Sequence, residues 1–172
     1  MTFPNFLSLI RILLSPVFLY LSFRNANQLA LIVFFIAAMT DWADGFFARL
    51  MGTTSTLGKL LDPIADKVLL MTAYLGFYFL GKIPFWLMAL VLCRDIAIML
   101  LGLLALLRQW SLKLDVHFIS KINTLFQMLL IGVLIIFDAD NFFAGLLIMI
   151  TACTTVLSGF SYARHFQRWY TA

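Results

Sequence analysis

Six apolar stretches, each about as long as a bilayer is thick, constrain this chain more than any other feature. Helical spans, which need ~20 residues apiece, are expected at 6–23, 27–49, 57–81, 83–107, 117–137 and 141–163. Together they take up nearly all of the 172 residues. Only 12% of the chain is charged and its mean hydropathy is +1.01, whereas a soluble domain carries about 25% charge. There is too little polar surface to clothe a soluble bundle. Backbone facing lipid must satisfy its own hydrogen bonds, and no period-2 alternation marks barrel strands. The expected fold is therefore an all-α integral membrane protein, a bundle of six transmembrane helices in a single domain, 1–172. Its links, such as "GKIP" and "DADN", are short.

Arg11 interrupts the first apolar run and no small-x-small cleavage site follows, so that run reads as a retained span rather than a signal peptide. Basic residues set the orientation. With both termini inside, the inner loops and tail carry Arg49, Arg108, Lys113, Arg164 and Arg168. The outer loops carry Arg24 and Lys82, beside Asp138 and Asp140. Both ends are thus expected on the cytoplasmic side. The pI near 9.3 reflects this topology and not a nucleic-acid surface, because the bases form no stripe. Cys93 and Cys153 lie within expected spans without metal-like spacing and read as small buried apolar residues, with no disulfide implied.

Against this background, "DWADGFFARLMGTTSTLGKLLDPIADK" at 41–67 holds four of the eight acidic residues, all of which are aspartate. Asp41 and Asp44 are three apart near the inner end of the second span. Asp62 and Asp66 are four apart near the inner start of the third. Each pair shares a helix face, and an antiparallel hairpin turns the two faces together. An aspartate inside a span costs ~2.5 to 3.5 kcal/mol on insertion scales, so four ask for compensation. Two bridged divalent cations supply it, since hard ions take carboxylate oxygens, clamp a phosphoryl centre and activate a hydroxyl. Two other readings remain at this point: a hairpin projecting into the cytosol with solvated aspartates, and an ion path in a transporter. Gly45 and Gly58 fit a bulky ligand approaching the backbone, and fit helix packing equally well.

With its spacing, the stretch reads Asp41-x2-Asp44-Gly45-x2-Ala48-Arg49-x8-Gly58-x3-Asp62-x3-Asp66. This resembles the signature of the CDP-alcohol phosphatidyltransferase family. "PNFLSLIRILLSP" at 4–16, with Asn5, Ser8 and Arg11, resembles the N-terminal block of the family's glycerophosphate branch. "CRD" at 93–95, "SKINTLFQ" at 120–127 and "SGFSY" at 158–162 resemble its later blocks. The resemblance implies a role in phospholipid biosynthesis: transfer of a phosphatidyl group from CDP-diacylglycerol to an alcohol, with CMP leaving. It further implies that Asp41, Asp44, Asp62 and Asp66 hold two Mg²⁺ or Mn²⁺ ions, and that Asp66 is also the general base. Asp44, Gly45, Ala48, Arg49 and Gly58 would receive the cytidine diphosphate, with Arg49 on the pyrophosphate. A homodimer in the bacterial inner membrane, its active site cytoplasmic, is implied as well; small residues such as Gly102 and Gly132 suit a packed interface.

For the acceptor, the cations near the inner face are Arg94, Arg108, Lys113 and Lys121; Arg108 and Lys113 read as positive-inside topology, the deeper Arg94 and Lys121 as candidates, and the resemblance adds Asn123. Two acceptors fit the branch. Glycerol 3-phosphate, the substrate of a phosphatidylglycerophosphate synthase, is placed first; phosphatidylglycerol, the substrate of a cardiolipin synthase, is the alternative. The first pattern leads us to expect Gly-Lys-x-Lys-Thr, where the chain has Ser120-Lys121-Ile122-Asn123-Thr124, and Arg-Glu, where it has Arg94-Asp95. Losing a lysine at 123 removes a partner for a phosphate dianion and leans toward the monoanionic phosphodiester. An ion-coupled transporter, the remaining alternative, would not need Gly45, Ala48 and Arg49 in their spacing, and no paired half-repeats are present.

Overall fold

The computed structural model describes residues 3–51, 58–107, 118–137 and 141–170, with side chains over 9–40, 67–101, 119–137 and 141–164. Six helices follow one another: α1 Phe3–Phe23, α2 Asn27–Met51, α3 Gly58–Phe79, α4 Phe85–Leu107, α5 Phe118–Ile136 and α6 Phe142–Tyr170. Each expected apolar stretch is met by one helix. The one large difference is at the end, where α6 continues seven residues beyond 163. Hydropathy marks where lipid contact ends, whereas backbone hydrogen bonding continues through the polar turns carrying Arg164 and Arg168.

Where the links are described, local chemistry stops the helices sharply. Asn25 adopts a left-handed φ of 55° after α1, and the Ala26 amide donates to the Leu21 carbonyl at 3.0 Å. After α3, Gly81 takes φ 71° and the Lys82 amide reaches back to the Phe77 carbonyl at 2.8 Å. Both are left-handed caps that satisfy orphan carbonyls. Asn141 caps the start of α6, its Oδ1 accepting from the Phe143 amide at 3.0 Å. Lys82 donates from Nζ to the Leu134 carbonyl at 2.7 Å, closing the far end of α5 against the α3–α4 link.

Helix α1 packs on α2 and α3, α4 on α3 and α6, α5 on α6, and α2 on α5. The α1–α3 contact is close at Gly76, where an added Cβ would lie 2.4 Å from a Leu19 methyl. Apolar inward stripes follow helical spacing: Ala30, Phe34 and Ala37 on α2; Leu69, Leu70, Ala73 and Phe77 on α3; Leu130, Ile131 and Leu134 on α5.

The distribution of polarity is the reverse of a soluble protein's. Phe142, Phe79, Phe35 and Leu13 are exposed by 60% or more, while Arg11, Arg94, Asp95, Asn123 and Gln127 are buried. A surface this apolar needs a hydrocarbon solvent. Two helical segments, Ile119–Ile136 and Phe142–Arg164, are long and apolar enough over the described residues to cross a membrane. One expectation is corrected here. Cys93 and Cys153 are free, as expected, but they are exposed rather than buried. A thiol is apolar enough to face lipid, so its place in an apolar run does not say which face it occupies.

Candidate active site

The signature aspartates sit on two consecutive helices. Asp41 and Asp44 belong to the last turns of α2, and Asp62 and Asp66 to the first turns of α3, with residues 52–57 between the helices. Gly45, Ala48 and Arg49 follow on α2, and Gly58 opens α3. The side chains of these residues, and of Asn5 and Ser8 on α1, fall outside the described set. The backbone places the signature residues at the end of α2 and the start of α3, and Asn5 and Ser8 in the first turns of α1. Four carboxylates in this spacing are a hard-oxygen donor set of the kind that takes Mg²⁺ or Mn²⁺. Arg11 is described: it is buried on α1's inward stripe, in helical register with Ser15, Phe18 and Ser22.

One residue beyond Asp66, the described side chains begin with a polar cluster. Lys67 donates from Nζ to Asp95 Oδ1 at 3.4 Å, linking α3 to α4. Arg94 donates to the same oxygen through Nη1 at 2.5 Å. Its Nη2 donates to Ser120 Oγ on α5 at 2.7 Å and to Ser158 Oγ on α6. The guanidinium also lies 5.9 Å from the centroid of the Tyr162 ring. Four helices thus meet at one buried ion pair. Taking such a pair out of water is costly, and in a membrane interior it marks function more often than stability.

This cluster is still incompletely satisfied. Asp95 Oδ2, Arg94 Nε, the Tyr74 hydroxyl, Asn123 Nδ2 and both ends of the Gln127 amide have no hydrogen-bond partner among the described residues. Each buried orphan costs ~1 to 3 kcal/mol.

The acceptor residues expected from the sequence separate here. Arg94 is at the centre of the cluster. Asn123 is fully buried on α5, where its Oδ1 accepts from Thr154 at 2.9 Å and Thr155 at 2.8 Å. Lys121 is exposed, on the α5 face it shares with Leu125 and Leu129 and turned from the stripe of Asn123 and Gln127. Sequence reasoning did not single out Lys67, Ser120 or Ser158 individually. The blocks "CRD", "SKINTLFQ" and "SGFSY" contain the last two, but only tertiary contact shows that they close on one guanidinium.

Comparison with known proteins bears on the family. The family model described as CDP-alcohol phosphatidyltransferase matches residues 1–157. The human protein named cardiolipin synthase (CMP-forming) is 35% identical over 94% of this chain, which spans 60% of that relative's length. The CDP-diacylglycerol–glycerol-3-phosphate 3-phosphatidyltransferases of Aquifex aeolicus and Bacillus subtilis are 33% and 30% identical. The former match covers 81% of this chain and 80% of the relative, the latter 92% of each. With the signature in place on α2 and α3 and the family model covering most of its length, the chain belongs to the CDP-alcohol phosphatidyltransferase family.

Proposed function

We propose that the protein transfers a phosphatidyl group from CDP-diacylglycerol to the hydroxyl of an acceptor that itself carries a glycerol-linked phosphate. The observation that carries this reading is the bond from Lys67 to Asp95. It joins the residue that follows the last signature aspartate to the carboxylate that also pairs with Arg94, so that an anionic acceptor held at the cluster lies toward the carboxylate end. The proposed setting is six membrane spans in a bacterial inner membrane, with both termini and the site cytoplasmic, and a homodimeric assembly.

In the proposed mechanism Asp41, Asp44, Asp62 and Asp66 would hold two Mg²⁺ or Mn²⁺ ions, which would supply positive charge against the donor's pyrophosphate. Arg49 makes charge-assisted hydrogen bonds to that pyrophosphate, and Gly45, Ala48 and Gly58 admit the cytidine against the helix backbones. Asp66 takes the proton from the acceptor hydroxyl. The hydroxyl oxygen attacks the phosphorus that carries diacylglycerol, the bond from that phosphorus to the bridging oxygen breaks, and the electron pair leaves with CMP. Arg94 orients the acceptor through its phosphate. Placement at the membrane boundary keeps the donor's tails in lipid and its nucleotide in water.

Relatives named for both acceptors are similar to this chain. Glycerol 3-phosphate, placed first on the sequence, brings a dianion. The described cluster favours phosphatidylglycerol instead. Arg94 and Lys67 share one carboxylate, Asp95, which leaves a single net positive charge, and Asn123 is engaged by two threonines. One positive charge matches a phosphodiester monoanion. The test is purified protein with CDP-diacylglycerol, Mg²⁺ and each acceptor separately, following CMP release and the lipid product. Cardiolipin formed with phosphatidylglycerol supports the favoured reading, and no CMP release with either acceptor defeats phosphatidyl transfer altogether.

A further inference from the structure

The cation cluster carries one net positive charge, and its two cations are placed very differently. Asp95 is buried and accepts from Arg94 Nη1 at 2.5 Å, and the other Arg94 bonds run inward to Ser120 and Ser158. That pair is closed and neutral. Lys67 approaches the oxygen that Arg94 already holds, Asp95 Oδ1, at 3.4 Å, and 17% of its side chain is exposed against 5% for Arg94. Such a separation is at the long limit of a hydrogen bond. An ammonium has three donors, yet this is the one hydrogen bond from Lys67 Nζ among the described residues. The cluster's uncancelled charge therefore sits on Lys67, on the side open to water.

Its position in the chain adds a second reason to single it out. Lys67 follows Asp66 on α3, their Cα atoms ~3.8 Å apart, and its bond to Asp95 shows that its stem leans toward α4. Asp66 is the proposed base for the acceptor hydroxyl. In both candidate acceptors that hydroxyl and the phosphate are the two ends of one glycerol unit, so a cation that meets the phosphate must stand close to the base. We propose that Lys67 binds the acceptor's phosphate: Asp95 holds the ammonium loosely, and the phosphate takes it over when the acceptor enters. This rests on the phosphate-bearing acceptor proposed above. Arg94, by keeping Asp95 occupied, leaves the Lys67 charge free to act. Water screens a partly exposed ammonium, so the effect is modest.

The test uses the whole protein in nanodiscs with CDP-diacylglycerol and Mg²⁺. Lys67→Met should lower kcat/KM for the acceptor about threefold, as suits a partly solvated contact, with the KM for CDP-diacylglycerol unchanged, and Lys67→Arg should restore most of the loss. A double-mutant cycle separates binding from bracing. In an Asp95→Asn background, where no carboxylate pairs with the ammonium, Lys67→Met should still cost the acceptor about threefold or more. A loss that vanishes there shows that Lys67 only braces α3 against α4, and overturns the proposal. The second measurement leaves Asp95 in place, and so stands even where Asp95→Asn does not fold. With Cys93→Ala and Cys153→Ala in donor-free nanodiscs, a neutral maleimide should label Lys67→Cys, and the acceptor that the wild type uses should slow that labelling several-fold. Phosphatidylserine in place of phosphatidylglycerol, at the same surface charge, or glycerol in place of glycerol 3-phosphate, should not slow it. Equal labelling rates with acceptor and control overturn the proposal as well. Wild-type protein that releases no CMP with either acceptor defeats phosphatidyl transfer itself, an outcome separate from any Lys67 variant.

Discussion

The two halves of the candidate site are built in opposite ways. The carboxylate half comes from 26 consecutive residues, Asp41 to Asp66, on two helices joined end to end. The cation half draws on Lys67, Arg94, Asp95, Ser120 and Ser158, from four helices. A site made from one hairpin is fixed by helical periodicity and one turn. A site made across four helices exists only when the bundle has closed. The first half can therefore be read from spacing, and the second only from packing; in the proposed mechanism the first supplies the reaction and the second chooses its acceptor.

If that division holds, damage to the carboxylate half is the most severe. Asp41→Asn, Asp44→Asn, Asp62→Asn and Asp66→Asn should each lower transfer by at least ~10²-fold, and chelation should abolish it reversibly, because a two-metal clamp loses a ligand or its base. Full turnover in excess EDTA would break the comparison at its stronger side.

Damage to the cation half should appear in acceptor use. Arg94→Ala should raise the KM for the acceptor by about 10- to 100-fold, the equivalent of one charge-assisted contact of ~1.5 to 3 kcal/mol, with a much smaller change in the KM for CDP-diacylglycerol. Arg94→Lys should recover part of the loss. Equal effects on both substrates would show that Arg94 only holds the bundle together.

Asn123→Lys sharpens the charge argument. It adds a second net positive charge near the cluster and should shift preference several-fold, on the order of 1 kcal/mol, toward glycerol 3-phosphate over phosphatidylglycerol. Burial of Asn123 limits the gain, because the new ammonium must be desolvated. No shift in the ratio would mean that position 123 does not read the acceptor.

The smallest effect is expected at the seam between the halves. Lys67 bonds Asp95 at 3.4 Å with 17% of its side chain exposed, so the contact is long and partly solvated. Lys67→Met removes the cluster's net positive charge from its partly solvated side while leaving the Arg94–Asp95 pair intact, so the loss should be about threefold in kcat/KM and confined to the acceptor.

The same division explains what was legible in the sequence. The order and number of the helices followed from apolar run length, and five of the six agree with their expected bounds to within three residues. Apolar run length could not show that α6 continues past 163, since helix hydrogen bonds do not require lipid. Nor could it orient Cys93 and Cys153, because lipid and core are equally apolar and periodicity gives a face without saying which way it points. Lys121 and Asn123 lie two residues apart in one motif, yet the structure exposes the first and buries the second. The aspartate spacing identified its helices directly. The convergence of Ser120 and Ser158 on Arg94 had no local signal.

The central claim is that the two halves form one site which joins a CDP-activated lipid to a phosphate-bearing acceptor. The most direct measurement is the stoichiometry of CMP and lipid product from purified protein given CDP-diacylglycerol, Mg²⁺ and either phosphatidylglycerol or glycerol 3-phosphate. One CMP per new phospholipid is expected, with phosphatidylglycerol the better acceptor in the wild type and its advantage reduced in Arg94→Ala. CMP release that needs no acceptor, or an acceptor preference untouched by Arg94→Ala, would contradict it.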